Sequence, residues 1–159
     1  LINDQNASWQ NRIQQMNHYE ITNQDLMISD NSERLDLDYT YQLLRRTYWD
    51  KDLPYNRFKK CIEHSLCYGI YLRGKQIGFA RVVSDFSETA SIWDVVIDEA
   101  HRGKGYGKKL MTAILANPKT EEVFKWFLMT EDAFELYQRY GFTSEKHPFV
   151  MTKISDPTF

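Results

Sequence analysis

The run Arg102-Gly103-Lys104-Gly105-Tyr106-Gly107-Lys108-Lys109 constrains this chain more than any other stretch, because it joins an apolar strand-like segment, residues 92–97, to a helix-like one, residues 110–116. A strand that feeds a glycine-rich turn into a helix N-terminus presents several unpaired N–H groups and the positive end of the helix dipole, which together make an anion site. The flanking Arg102, Lys104, Lys108 and Lys109 indicate a multiply charged anion, and a diphosphate-bearing cofactor fits it.

Spacing narrows the choice of ligand. A Walker-type loop needs a glycine, four residues and then Gly-Lys-Ser/Thr; here Arg102 stands five positions before Gly107, and Lys109 follows Lys108. The dinucleotide fingerprint needs glycines at relative positions one, three and six; Gly103 and Gly105 comply but position 108 is lysine. What remains is Arg-x-x-Gly-x-Gly from Arg102 through Gly105 to Gly107, which resembles the pyrophosphate-binding loop of the GNAT superfamily of acetyl-CoA-dependent N-acetyltransferases.

A second segment carries the same resemblance. Residues 130–142 read as one short helix, with Ala133, Leu136, Tyr137 and Tyr140 on one face, Thr130 as N-cap, and Gly141 as a left-handed stop. Its Ala133-x-x-Leu136-Tyr137-x-x-x-Gly141-Phe142 pattern resembles the helix after the fifth strand in that superfamily, where the tyrosine often lies beside the cofactor's sulfur. Many members carry asparagine three residues before the alanine. Here that place is Thr130, a cofactor-binding position by resemblance whose hydroxyl lacks an amide's reach.

The 159 residues suit one domain, expected over 18–159, after an N-terminal extension, 1–17, to which no function is assigned. A net charge of −2 gives no general attraction to nucleic acid or to an anionic membrane. Cys61 and Cys67 have neither redox nor zinc spacing, and four scattered histidines supply no ligand pattern, so no metal is expected. Few cysteines and no apolar run near 18 residues make a reducing cytoplasm the expected compartment.

Along the chain, residues 18–28 read as a first strand and 30–34 as a polar loop. Residues 36–49 read as a helix with Leu43, Leu44, Thr47 and Tyr48 inward, and 54–65 as a second with Phe58, Cys61 and Ile62 inward. A hairpin of 66–72 and 76–83 turns at Arg73-Gly74-Lys75. The next strand is 89–97, then come the glycine loop and a helix over 105–117 stopped by Pro118. Residues 123–129 are almost continuously apolar, as in a strand covered on both faces, and 142–154 hold one or two strands interrupted at His147-Pro148.

This order resembles the superfamily from residue 18 onward. The implied fold is α/β (α+β): a mixed, mostly antiparallel central sheet of about six to seven strands with about four helices, splayed at the two parallel central strands that end near Ile97 and Met129. The resemblance implies that backbone at Val95, Val96 and Ile97 borders the cofactor's pantetheine arm, and that Arg102, Gly103, Lys104, Gly105, Tyr106, Gly107 and Lys108 hold its pyrophosphate. It places the acceptor pocket in residues 45–55 and 144–151, where Tyr48, Trp49, Tyr55 and His147 are either pocket or core residues.

Acetyl transfer needs a neutral amine, a donor for the developing oxyanion and a proton for the leaving thiolate. A backbone N–H near Val95 or Val96, freed by strand splaying, suits the oxyanion. Tyr137 is the acid by resemblance; a phenol near pKa 10 needs only modest tuning to protonate a thiolate near 8.5. Asp94 interrupts the apolar strand and shares a face with Ile92 and Val96, so it is either the general base or one half of an ion pair with Arg81 on the adjacent strand. By the same alternation Trp93 faces the other way, toward the core, while Glu99 and His101 are expected to be solvated.

The sequence thus predicts an acetyl-CoA-dependent N-acetyltransferase, similar to small bacterial members of the superfamily. It would act on a primary amine of a small molecule or peptide by direct attack in a ternary complex, releasing CoA, with a homodimer allowed for. The competing class is a non-catalytic acyl-CoA-binding or sensing module.

Overall fold

The computed structural model describes residues 18–143. The extension 1–17, His147 and the strands expected in 142–154 lie outside the described residues, apart from Phe142 and Thr143, which are not in a strand. The chain divides into two compact units between Leu128 and Met129. The first carries a six-stranded sheet whose order follows the sequence: β1 (Glu20–Asn23), β2 (Leu26–Ser29), β3 (Leu66–Leu72), β4 (Lys75–Ser84), β5 (Thr89–Ile97) and β6 (Lys125–Leu128). All neighbours are antiparallel except β5 and β6, which run parallel.

The expected first strand is two strands. Gln24 and Asp25 make a two-residue turn between the paired Asn23 and Leu26, with Gln24 at φ +54°. No glycine marks this turn. The side-chain amide and carboxylate stand where glycine is usual, so the break is hidden in the sequence. The second hairpin is the expected one, with Arg73 and Gly74 both at positive φ between paired Leu72 and Lys75, the geometry of a primed turn matched to the strands' twist.

Helix α1 (Leu37–Arg45) starts at Asp36, whose carboxylate accepts the Tyr39 N–H at 2.9 Å. It stops four residues before the expected end at Trp49 because Thr47 competes for its carbonyls. The Thr47 N–H and Oγ1 both donate to Leu44 O, at 2.8 and 2.7 Å, which ends the helical ladder. Helix α2 (Tyr55–Glu63) begins after Pro54, whose fixed φ suits the start of a helix.

On one face of the sheet Leu35, Leu43, Leu44 and Phe58 form a core with Cys67, Phe79 and Val96, partly buried Ile62 packing against it. Burying each large side chain contributes on the order of 1.5–3 kcal/mol. Helix α3 (Tyr106–Leu115) covers the other face with Leu110, Met111, Ala113 and Ile114, all fully buried. Asn117, just past its end, donates to the hydroxyl of Tyr68, whose neighbour in β3, Cys67, faces α1 and α2.

Strand β6 departs from expectation. Its residues alternate between exposed and half-buried, and Phe124 and Met129 at its ends are exposed, so it is not covered on both faces. It is the edge of the sheet among the described residues, and an apolar run at an edge reads in sequence like one in the centre.

The second unit holds α4 (Phe134–Gln138), shorter than the helix expected within residues 130–142. Its N-cap is Ala133 rather than Thr130; the Ala133 N–H donates to Thr130 Oγ1 at 3.0 Å, so the threonine supports the turn before the helix. Gly141 takes φ +84° and ends the helix as expected. Tyr137 is buried, its ring edge-on to Phe142 at 6.1 Å between centroids.

Candidate active site

The glycine loop emerges directly from β5. A short turn over Glu99–His101, capped by the Asp98 carboxylate, leads into Arg102, and Gly103 and Gly105 both adopt left-handed backbone, φ +75° and +80°. A side chain at either would be strained by φ, although neither meets a neighbour. Gly105 is the N-cap of α3, with no side-chain cap, and its carbonyl accepts the Lys109 N–H at 3.1 Å. The preceding amides of Gly105, Tyr106 and Gly107 therefore have no helical acceptor and sit at the positive end of the dipole. Gly107 has ordinary φ, and a Cβ there would lie 4.0 Å from Ile97, so the residue is small without local need. A bare, uncapped, four-cation turn fits a pyrophosphate.

The cations are partly committed. Arg102 Nε donates to Ile97 O at 3.0 Å, and its Nη1 lies 3.6 Å from Glu99; Lys104 Nζ donates to Ala100 O at 3.1 Å. These bonds fold the loop back on the end of β5, so Arg102 shapes the loop as well as charging it. Glu99 is solvated as expected, whereas His101 is not: it is half-buried, and its Nδ1 is buried without a hydrogen-bond partner.

Beside the loop the sheet opens. The β5–β6 ladder runs from Thr89–Lys125 to Ile92–Leu128 and stops there, while β5 continues to Ile97, still paired with β4 through Gly78. From Trp93 onward the far edge of β5 has no strand partner among the described residues. That edge presents Val95, Val96 and Ile97 as backbone. The Val96 side chain belongs to the core and that of Ile97 is buried, while Val95 is half-buried, so main-chain groups are most of what this edge offers a ligand.

The opening starts at a β-bulge. Phe79 pairs Val96 and Arg81 pairs Trp93, so Asp94 and Val95 together oppose Ala80, and Asp94 takes φ +57°. A non-glycine residue held there costs on the order of 1–3 kcal/mol and persists only where its surroundings hold it. Arg81 supplies the hold. Its Nε donates to Asp94 Oδ2 at 2.5 Å, with the two side chains only 15% and 8% exposed. Trp93 is not core: it is partly exposed, its ring lies 5.6 Å from the same guanidinium, and its indole N–H donates to Ser91. The bulge breaks the two-residue alternation, so Trp93 and Asp94 both engage Arg81 rather than facing apart.

Sequence reasoning missed Asp50. In the segment between α1 and α2, its N–H donates to Thr47 Oγ1 at 3.3 Å, and its carboxyl lies beside that of Asp94, with Arg81 and Arg57 as the nearby cations. Asp50 Oδ2 is buried and finds no hydrogen-bond donor among the described residues. Burial first, and then the neighbouring Asp94 charge, push the Asp50 carboxyl up to about 6. Around it Tyr48, Trp49 and Tyr55 are 53%, 46% and 42% exposed, so these aromatics are not core, and Tyr48 is not inward as the helical spacing suggests. Cys67, buried under Arg81 and Asp94, is pushed up to about 12 by desolvation and stays a neutral thiol.

A mixed, mostly antiparallel sheet with one parallel pair, and a glycine loop and helix N-terminus where that pair parts, is the arrangement of the GNAT acetyltransferase fold. The sequence profile of the acetyltransferase (GNAT) domain matches residues 63–144. A GNAT-family protein from Xanthomonas campestris is 38% identical, with 83% of this chain and 94% of that one superimposed at a TM-score of 0.77. An uncharacterised ycf52-like N-acetyltransferase of Prochlorococcus marinus is 34% identical over 117 residues, which span 70% of this chain and 64% of the relative. A histone acetyltransferase of Glycine max is 31% identical over 70 residues, 43% of this chain and 30% of that one. The chain belongs to the GNAT acetyltransferase family.

Proposed function

We propose that this protein is an acetyl-CoA-dependent N-acetyltransferase that acetylates a primary amine of a small molecule or peptide by direct attack in a ternary complex. The observation that carries the reading is the placement of the uncapped turn, residues 102–108, at the end of the same strand whose edge has no strand partner from Trp93 to Ile97 among the described residues. An anion site and an edge of unpaired backbone groups, contiguous along one strand, suit a ligand with a pyrophosphate at one end and an amide-rich arm at the other. Bound there, acetyl-CoA supplies a thioester as acyl donor. The chain's contribution is to orient it through backbone amides, to offer an edge amide at Val95 or Val96 to the oxyanion, and to manage protons.

Tyr137 takes the role of acid on the strength of its motif, and Asp94 belongs to the basic side of the site through its carboxyl partner. Thr130, engaged by the Ala133 N–H, is a weaker cofactor ligand than the resemblance implies. The test is release of free CoA thiol from acetyl-CoA across a panel of amines, beside calorimetry with CoA and with ATP. Thiol release that depends on an amine, with CoA bound more tightly than ATP, supports the reading. CoA binding with no release for any amine turns it into a non-catalytic acyl-CoA-binding module.

A further inference from the structure

Amines arrive protonated at neutral pH, so an acetyltransferase for primary amines must take a proton before the nitrogen can attack. Asp94 alone is poorly suited. Its Oδ2 is held by Arg81 Nε, its side chain is 8% exposed, and its charge is already balanced. Asp50 is placed differently: it is only partly buried, lies on the segment that carries exposed Tyr48 and Trp49, sits beside the Asp94 carboxyl, and has one buried oxygen without a donor among the described residues. We propose that Asp50, backed by the Asp94–Arg81 ion pair, is the general base that takes the proton from a cationic primary-amine acceptor. This rests on the acetyltransferase reading above.

The missing donor sets the chemistry of the pair. Two touching carboxylates repel each other, and one guanidinium neutralises one of them. Arg81 is bonded to Asp94 and also lies 3.4 Å from Ser65 Oγ, so the uncompensated charge falls on Asp50. The other titratable groups facing the pair are Arg57 of α2, which lowers the Asp50 carboxyl's affinity for a proton, and the neutral thiol of Cys67, itself near Cys61. Above about pH 6 Asp50 is ionised and short of a donor. An ammonium group at the accessible side of the half-buried carboxyl brings a proton donor to that charge, and Tyr48 and Trp49, exposed on the same segment, supply aromatic surface for a cation.

Protons balance. The ammonium gives one proton to Asp50 and becomes a neutral amine; the C–N bond forms, the C–S bond breaks, and the electron pair leaves with sulfur. The nitrogen's second proton ends on the thiolate, and Asp50 releases the first to solvent. Thr47 is a positioning residue, since its hydroxyl both ends α1 and accepts the Asp50 N–H.

The test uses the full chain with Asp50→Asn, an isostere that can donate to Asp94, and Asp50→Glu. Infrared difference spectra of the ligand-free protein are expected to show a carboxyl titrating near pH 6 in the wild type that disappears in Asp50→Asn. With an amine selected by thiol release, kcat/KM in Asp50→Asn is expected to fall by roughly 10²-fold or more. It should also lose the acid limb of its pH profile, with part of the rate restored by Asp50→Glu. A wild type without the elevated titration overturns the inference. So does an Asp50→Asn protein that keeps either the rate or the limb, which makes the pair structural while the acetyltransferase reading stands. A wild type that binds acetyl-CoA but acetylates no amine overturns both.

Discussion

Two buried carboxylates, Asp30 and Asp94, lie on this sheet with opposite fates. Asp30, just past β2, has a fully buried side chain and a complete set of donors: Lys119 Nζ at 2.9 Å, Asn117 Nδ2 at 2.8 Å and the Tyr19 N–H at 2.9 Å. Lys119 is itself nearly buried, and Asn117 passes the network on to Tyr68. Nothing is left over, and the hub fastens the N-terminal hairpin to the end of α3. Asp94 also has its cation, but it has drawn in a second carboxyl, Asp50, whose buried oxygen lacks a donor. A satisfied buried charge fixes structure; one with a vacancy for a proton is poised for chemistry, because the same low dielectric that makes the vacancy costly raises its affinity for what fills it.

The largest expected effect breaks the satisfied side. Asp30→Ala leaves Lys119 buried and unpaired, which costs about 3–5 kcal/mol, the range for a broken buried pair. Denaturant unfolding should show that loss, while kcat per folded molecule stays near wild type. A loss of under about 1 kcal/mol would mean that the hub is not the structural half of the contrast.

The cofactor side comes next. Gly107→Ala adds a methyl with 4.0 Å of clearance from Ile97 and no strain in φ, so folding should be unchanged. If backbone approach is what the glycine provides, calorimetry should find CoA affinity reduced about tenfold, or about 1.4 kcal/mol. Unaltered affinity would move the pyrophosphate away from this turn.

The smallest effect sharpens the comparison by its sign. The Asp50 carboxyl is raised in the folded state, so its contribution favours folding below the unfolded value near 4 and is lost as pH rises through about 6. Asp50→Asn should therefore stabilise the protein at pH 7–8. Partial exposure screens the gain to roughly 1 kcal/mol, or about 2–4 °C in Tm. The gain should vanish below about pH 4. Asp30→Ala and Asp50→Asn would thus move stability in opposite directions.

What the sequence revealed and what it hid follow the range of the interactions. The bounds of β5, the Arg73-Gly74 turn and the glycine loop rest on neighbours in the chain and were legible there. The resemblance to the GNAT family rested on the same local patterns. The face of Trp93 was misjudged because no glycine announces the bulge at Asp94. The end of α1 was misplaced because a threonine hydroxyl, not a helix breaker, removed the carbonyls. Asp50 was missed because its meaning comes from Asp94, on another element, and Asp30 likewise gains its role from Asn117, 87 residues away. Local spacing reports backbone shape; it is silent on which buried charges meet.

In the proposed reaction the acetyl group passes by direct attack, with amine and acetyl-CoA on the protein together. Initial rates over a grid of both substrates test it directly, with free CoA and acetylated amine measured in the same samples. A ternary complex gives reciprocal plots that intersect, one CoA released per amine acetylated, and no CoA released without amine. Parallel plots with a burst of CoA before amine is added would show an acetylated enzyme and contradict it.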